Sequence, residues 1–234
     1  MNFNQNIKNE LSKFKKNEII IASKFYKENI LEKGISETSF YKSLQRMYEN
    51  NILSKLTKGI YYIPKKTKFG YVPMSDDEII TNFTKNNQGL VVGYSLYNRL
   101  NISTQISKNY IIYSSNIDNA IKKIRNIEIK YIALKLTNKH IETIEMLEIL
   151  QNFLEIEELN YKEFYRYSRK FASAFNERVA KEILSEIKYK KSTISFLCNI
   201  LNHFGVKHTL NQYLSTLSKY KHLEMEEIYE FAQE

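Results

Sequence analysis

Hydrophobic residues recur with helical spacing at Ile7, Leu11 and Phe14, predicting a helix over residues 4–14. A short apolar run, residues 18–21, predicts a strand, and a brief helix over residues 23–28 buries Phe25 before a turn at Lys33-Gly34. The clearest pattern follows in Ser36-Glu-Thr-Ser-Phe-Tyr-Lys-Ser-Leu-Gln-Arg-Met-Tyr-Glu-Asn50. Ser36 is an N-cap, since its hydroxyl accepts from a free first-turn amide, and Glu37 suits the positive end of the helix dipole. Phe40, Leu44, Met47 and Tyr48 share one side and predict the face that anchors this helix. Two short β segments, 52–56 and 60–63, then flank Thr57-Lys58-Gly59, where Gly59 supplies the positive φ of a tight hairpin, and Pro64 stops the second. Helix, strand, helix, turn, helix and hairpin is the order of a winged helix-turn-helix.

Residues 65–78 hold Gly70 and Pro73 and predict a linker. Ser75 followed by Asp76, Asp77 and Glu78 opens a helix to about Lys85. Beyond it the pattern is mixed: a strand at 89–94, a helix at 95–100, a strand at 110–114 and a longer one at 127–136. After Asn138 the periodicity is helical, through Ile141, Ile144, Leu147 and Leu150, then Phe164, Phe171, Phe175, Val179 and Ile183, then residues 194–204, with two short helices to end the chain. The expected class is α+β, in three parts: a winged helix-turn-helix over 1–68, a small mixed α/β domain over 74–154, and a helical extension over 155–234.

Charge changes this picture more than composition does. The 234 residues carry a formal charge of +9, and an abundance of Lys, Ile and Asn fits the bias of an AT-rich genome. The excess is not spread evenly, however. Residues 1–70 carry 14 Lys and Arg against 6 carboxylates, residues 71–154 nine against eight, and residues 155–234 twelve against twelve. A polyanion partner for the first segment explains that distribution better than a uniform bias. The candidate contacts are Ser36, Thr38, Ser39, Tyr41, Lys42, Gln45 and Arg46 on the helix, and Lys55, Lys58, Lys65, Lys66 and Lys68 on and after the hairpin. Hydroxyl, amide and cationic groups on one helix face can pair with base edges in a major groove, and hairpin lysines can hold phosphates. No apolar run is long enough to span a bilayer and the N-terminal stretch has no signal-peptide core, so a cytoplasmic protein is expected. The single Cys198 rules out an internal disulfide and a thiolate zinc cluster, and no cofactor is expected.

The run Leu-Ser-Lys-Leu-Thr-Lys-Gly-Ile-Tyr-Tyr-Ile-Pro-Lys65, the acidic Ser75-Asp-Asp-Glu78, and Val91-Val-Gly-Tyr-Ser-Leu-Tyr-Asn-Arg-Leu100 with Ser103-Thr-Gln105 and the Tyr110–Tyr113 β segment resemble the AbiEi-type antitoxins of bacterial type IV toxin-antitoxin systems. The similarity spans about residues 19–150. Ser107 departs from it, standing where members commonly have proline, which should loosen that loop without removing the strand. The resemblance implies a phage-defence repressor that binds operator DNA ahead of its own operon and counteracts a co-encoded nucleotidyltransferase-like toxin. Palindromic operators would need two reading heads, from a homodimer or from two monomers on adjacent repeats.

Other chemistry is weaker. Asp118 followed by Glu128 and Lys130 on a strand has the order of a metal-dependent nuclease site. We read Glu128 and Lys130 instead as the polar face of a strand whose other face is Ile127, Ile129 and Tyr131, and Asp118 as a turn residue with Asn116 and Asn119. A protein-interaction module without DNA binding is the other alternative. Gly93-Tyr94-Ser95 lacks the second glycine of a nucleophile elbow, Tyr97 taking its place. Cys198, His203 and His208 are regularly spaced, but Gly205 should break the helix between the histidines. The aromatic stretch 161–175 predicts core packing rather than base stacking.

Overall fold

A computed structural model describes residues 3–118, 121–215 and 217–233. The chain opens with α1 (Phe3–Leu11), β1 (Ile19–Ile21) and α2 (Ala22–Phe25). One wide turn at Tyr26–Ile30 and a 3-10 turn at Leu31–Lys33 carry that helix past its expected end at residue 28, and they bury Tyr26 and Ile30. Gly34, at φ 70°, then reverses the chain. Helix α3 (Glu37–Glu49) starts where its cap predicts, with Ser36 Oγ accepting from the Ser39 amide at 3.3 Å. Phe40 and Leu44 are fully buried and Met47 nearly so. Tyr48 differs from expectation and is exposed, because eight residues carry it about 80° round from Phe40, to the edge of the stripe. Ser43, on the other edge, is buried instead.

Strands β2 (Ser54–Thr57) and β3 (Ile60–Tyr62) form the predicted hairpin, and β1 pairs with β3, giving an antiparallel sheet ordered β1-β3-β2. Its first strand starts later than predicted. The amides of Ile52 and Leu53 bond back to the Met47 carbonyl at 2.9 and 3.2 Å, so these residues close α3. The sheet buries both faces. Ile20 and Tyr61 point to the helices, while Ile19, Ile21, Ile60 and Tyr62 point away into a second core. Residues expected as linker form another antiparallel hairpin, β4 (Lys65–Thr67) and β5 (Gly70–Val72).

Ser75 then makes a full capping box with Glu78 and starts α4 (Asp76–Thr84). Next come β6 (Gly89–Val92), α5 (Tyr94–Arg99), β7 (Tyr110–Ser114), β8 (Ile121–Ile124) and β9 (Ile127–Tyr131). These strands make one sheet ordered β6-β7-β9-β8, with β7 and β9 parallel and the other pairs antiparallel. Strand β8 was not predicted, and β9 ends five residues earlier than expected. A Cβ on Gly89 would lie 2.4 Å from the Tyr113 carbonyl and 2.5 Å from that of Phe83, so the start of β6 needs glycine. Ser107 sits in a hydroxyl-bonded turn with Asn109, and β7 forms after it as expected.

Ile112, Ile124, Ile127 and Ile129 on one face of this sheet pack with Ile79 and Phe83 of α4 against Ile19, Ile21, Ile60 and Tyr62. The N-terminal and middle segments thus share a hydrophobic core. The opposite face, through Leu90, Val92 and Tyr113, packs on the helical C-terminal region. That region contains α6 (Asn138–Asn152), α7 (Tyr161–Ser173), α8 (Glu177–Glu186), α9 (Lys191–His203) and α10 (Met225–Phe231). The run from Phe164 to Ile183 divides into two helices because Asn176 caps α8, accepting from the Val179 amide at 3.1 Å. The fold is therefore mixed α and β with several sheets and a helical C-terminal region. Among the described residues, no helix is long and apolar enough to cross a membrane.

Candidate nucleic-acid interface

With Phe40, Leu44 and Met47 fixing its inner side, α3 holds Thr38, Ser39, Lys42, Gln45 and Arg46 exposed on its outer side. Lys42 and Arg46 stand four residues apart, one turn above the other, and neither makes an ion pair among the described residues. Like charges at this spacing disfavour a helix by a few tenths of a kcal/mol, roughly, and an anion lying across both relieves it. Gln45 donates to Glu49 at 2.9 Å, which aligns its amide along the helix. Two of the sequence candidates have other work. The Ser36 hydroxyl is occupied by the cap and by Ser39 Oγ at 2.9 Å. Tyr41 is half-buried edge-on to Phe40 at 5.3 Å, and burial, then Glu37 and Asp118, raise its phenol above the usual range.

The β2–β3 turn has Gly59 at φ 80°, as the hairpin requires. It does not project freely. The Gly59 carbonyl accepts from the Ala22 amide at 2.9 Å, and Lys122 Nζ donates to the Lys58 carbonyl at 3.3 Å. Asp118 joins this contact, accepting from Ser23 Oγ at 2.9 Å and pairing with Lys122 at 3.1 Å, while Lys24 donates to the Ser115 carbonyl at 2.8 Å. The turn is thus fastened to β8 and its preceding loop, with the side chains of Lys55 and Lys58 still exposed.

The β4–β5 hairpin is a second basic element. Lys65, a phosphate candidate by sequence, is tied down: its ammonium lies 2.7 Å from Glu78, and its amide donates to Asn17 Oδ1 at 3.3 Å. Asn17 also donates to both Glu78 oxygens, at 2.9 and 3.0 Å. Lys65, then Asn17 and the Ser75 amide, bring the Glu78 carboxyl down to about 2. A depressed carboxyl stabilises the fold fully above its unfolded value of about 4.3, and that contribution is lost as pH falls toward 2. Thermal unfolding of Lys65→Met between pH 5 and pH 3 should therefore show a shallower acid loss than the parent protein. An identical slope would contradict this role. Lys66 and Lys68 meet no carboxylate among the described residues and lie over the rings of Tyr71 and Phe69, at 5.7 and 5.0 Å from the centroids. Gly70 is the sequence signal for this element, and a glycine near a proline signals a linker equally well.

Asp118, Glu128 and Lys130 are not brought together as a catalytic set. Asp118 belongs to the Ser23–Lys122 contact, whereas Glu128 faces Lys123 at 3.4 Å and Lys130 at 3.8 Å on the sheet surface. Asn119, read with Asp118 as a turn, lies outside the described residues. Ile127 and Ile129 are buried as expected, but Tyr131 is exposed, because the strand ends there. Among the described residues, no three His, Cys, Asp or Glu side chains are grouped to hold a metal. Gly205, at φ 70°, ends α9 between the histidines as expected. His203 meets Tyr165 and Glu226, and His208 meets Asn202. Phe164 and Phe171 are core residues.

A family model described as a family of unknown function, DUF6088, matches residues 6–163, which is more than half of the chain. No protein of curated function matches the sequence. Among solved structures, the crystal structure of the RV2827C protein from Mycobacterium tuberculosis is similar over 88% of this chain and 78% of that chain, at 8% identity and a TM-score of 0.39. A likeness at that level carries no argument about function.

Proposed function

We propose that this protein, which belongs to the DUF6088 family, is a non-catalytic DNA-binding antitoxin and autorepressor of a bacterial type IV toxin-antitoxin operon. The observation that carries the DNA-binding half is the outer face of α3: Thr38, Ser39, Lys42, Gln45 and Arg46 stand exposed on a helix whose inner face is locked by Phe40 and Leu44. In this reading residues 1–68 are a winged helix-turn-helix, α3 enters a major groove, and exposed lysines on the two hairpins hold phosphates on either side. Arg46 has the planar fork that pairs with both acceptors of a guanine edge, so it is the first choice for reading sequence. The antitoxin half rests on the likeness of residues 19–150 to AbiEi-type antitoxins, and its partner is a nucleotidyltransferase-like toxin encoded beside it.

A reporter driven by the region upstream of the protein's own reading frame tests the repressor role. Co-expression should silence it, and Arg46→Ala should restore most of its output while leaving the protein folded. Growth arrest by the neighbouring reading frame, relieved by this protein, tests the antitoxin role. A reporter indifferent to the protein, or a neighbour that is harmless alone, contradicts the corresponding half.

A further inference from the structure

Resting on the DNA-binding reading, we propose that the β4–β5 hairpin is a minor-groove wedge that inserts Phe69 between base pairs while Lys66 and Lys68 hold the flanking phosphates. Phe69 sits at the hairpin tip and is 90% exposed, with Tyr71 and Val72 half exposed behind it. A large ring so exposed contributes little to the core of the described residues, its ring contact being with the neighbouring Lys68. The tip is nonetheless held in shape. Thr67 Oγ1 donates to the Gly70 carbonyl and accepts from the Phe69 amide, both at 3.2 Å, and Gly70 takes φ 115°, which strains other residues. At its root the hairpin is clamped by Lys65, Asn17 and Glu78. A fixed root and a fixed tip mean that little ordering is needed before the ring engages a partner.

Charge identifies that partner. The segment from Lys65 to Val72 carries three lysines and no carboxylate, and the two lysines not tied to Glu78 flank the aromatic rings. An apolar wedge between cations is the chemistry of proteins that unstack a base step from the minor groove. Topology puts the hairpin within reach of the duplex on which α3 would sit. Ser54, five residues past the end of α3, pairs with Tyr62, three residues before the hairpin begins, so the C-terminal end of α3 and the root of the hairpin join the three-stranded sheet at the same end. The β2–β3 turn lies at the other end, fastened to Lys122. An element beside a helix in the major groove meets the adjacent minor groove across one phosphate backbone.

The test uses the full chain and a duplex of about 30 base pairs, three helical turns, taken from upstream of its own reading frame. Each adenine is replaced in turn by the fluorescent base 2-aminopurine, whose emission rises on unstacking. Binding of the parent protein should raise emission severalfold at one step, most readily at a TA or CA step. Phe69→Ala should abolish that rise and weaken binding about tenfold. Phe69→Leu, which keeps an apolar wedge, should retain most of the rise, and equal melting temperatures would show that neither change disturbs the fold. Binding with flat emission at every position, or an undiminished rise in Phe69→Ala, overturns the wedge while the DNA-binding reading stands. Failure of the parent protein to bind the duplex defeats both. Binding to phosphatidylglycerol vesicles that is lost in Phe69→Ala, with duplex binding unaffected, would assign the hairpin to a membrane surface and overturn the proposal.

Discussion

Alanine at Lys55, Lys58, Lys66 and Lys68 together should weaken binding to any duplex by about a thousandfold in 0.1 M salt and flatten the log–log salt dependence by about three to four units. Each phosphate neutralised by a lysine releases condensed counterion and contributes about 0.9 of a unit to that slope, whatever the base sequence. All four side chains are exposed, and none is committed to a carboxylate among the described residues. Lys65 is left out because Glu78 already holds its ammonium. The quadruple variant should stay close to the parent's melting temperature, since it removes only exposed side chains and two ring contacts on the β4–β5 hairpin, and its preference for one sequence over another should survive. An unchanged salt slope would show that these lysines do not face phosphate.

Phe40→Ala should lower unfolding free energy by about 3–5 kcal/mol, the usual range for deleting a buried aromatic ring. Phe40 has no exposed surface and packs against Phe25 at 5.8 Å, Tyr26 at 5.2 Å and Tyr41 at 5.3 Å. These rings come from α2, the wide turn after it and α3 itself. Removing Phe40 therefore loosens the seat of α3 against the rest of the N-terminal core, and DNA binding should fall with stability. Urea unfolding of the full chain measures the first effect, and a loss below about 1 kcal/mol would mean the site collapses around the missing ring. The contrast with Arg46→Ala separates the two faces of one helix: that change should alter binding without altering stability.

The buried face of α3 was legible in the sequence. Burial along α3 follows from spacing alone, since a stripe at i, i+4 and i+7 has only one way to face a core, and Ser36 marked where it starts. The same logic misplaced Tyr48, which lies at the rim of the stripe where neighbours decide. Strand β8 was invisible because only Ile124 of its four residues is buried, so it shows no alternation and owes its existence to pairing with β9. The triplet of isoleucines in β1 looked merely apolar. Its two faces serve two cores, and which residue faces which depends on the arrival of a second sheet more than 50 residues later.

Among the candidate contacts, chemistry was readable but availability was not. Lys65, Ser36 and Tyr41 have residue types suited to DNA, yet one is held by Glu78, one caps its helix and one packs on Phe40. The cap role of Ser36 is local and readable, and Tyr41 packs on its own neighbour, but the partner of Lys65 lies 13 residues away, a separation that no local pattern encodes. The second hairpin was misread for a related reason. Proline and glycine signal a break in any pattern, and whether the break is a linker or a turn depends on what anchors its two ends. Here the Asn17–Lys65–Glu78 clamp does so, and its first member comes from before β1.

Sequence reading by α3 would show itself in competition between two duplexes. Fluorescence anisotropy at 0.15 M salt would compare the region upstream of the protein's own reading frame with a scrambled duplex of identical base composition. The upstream region should be preferred about a thousandfold or more, and Arg46→Ala should cut that preference by about ten- to a hundredfold. Equal affinity of the parent protein for the two duplexes would contradict sequence reading by α3.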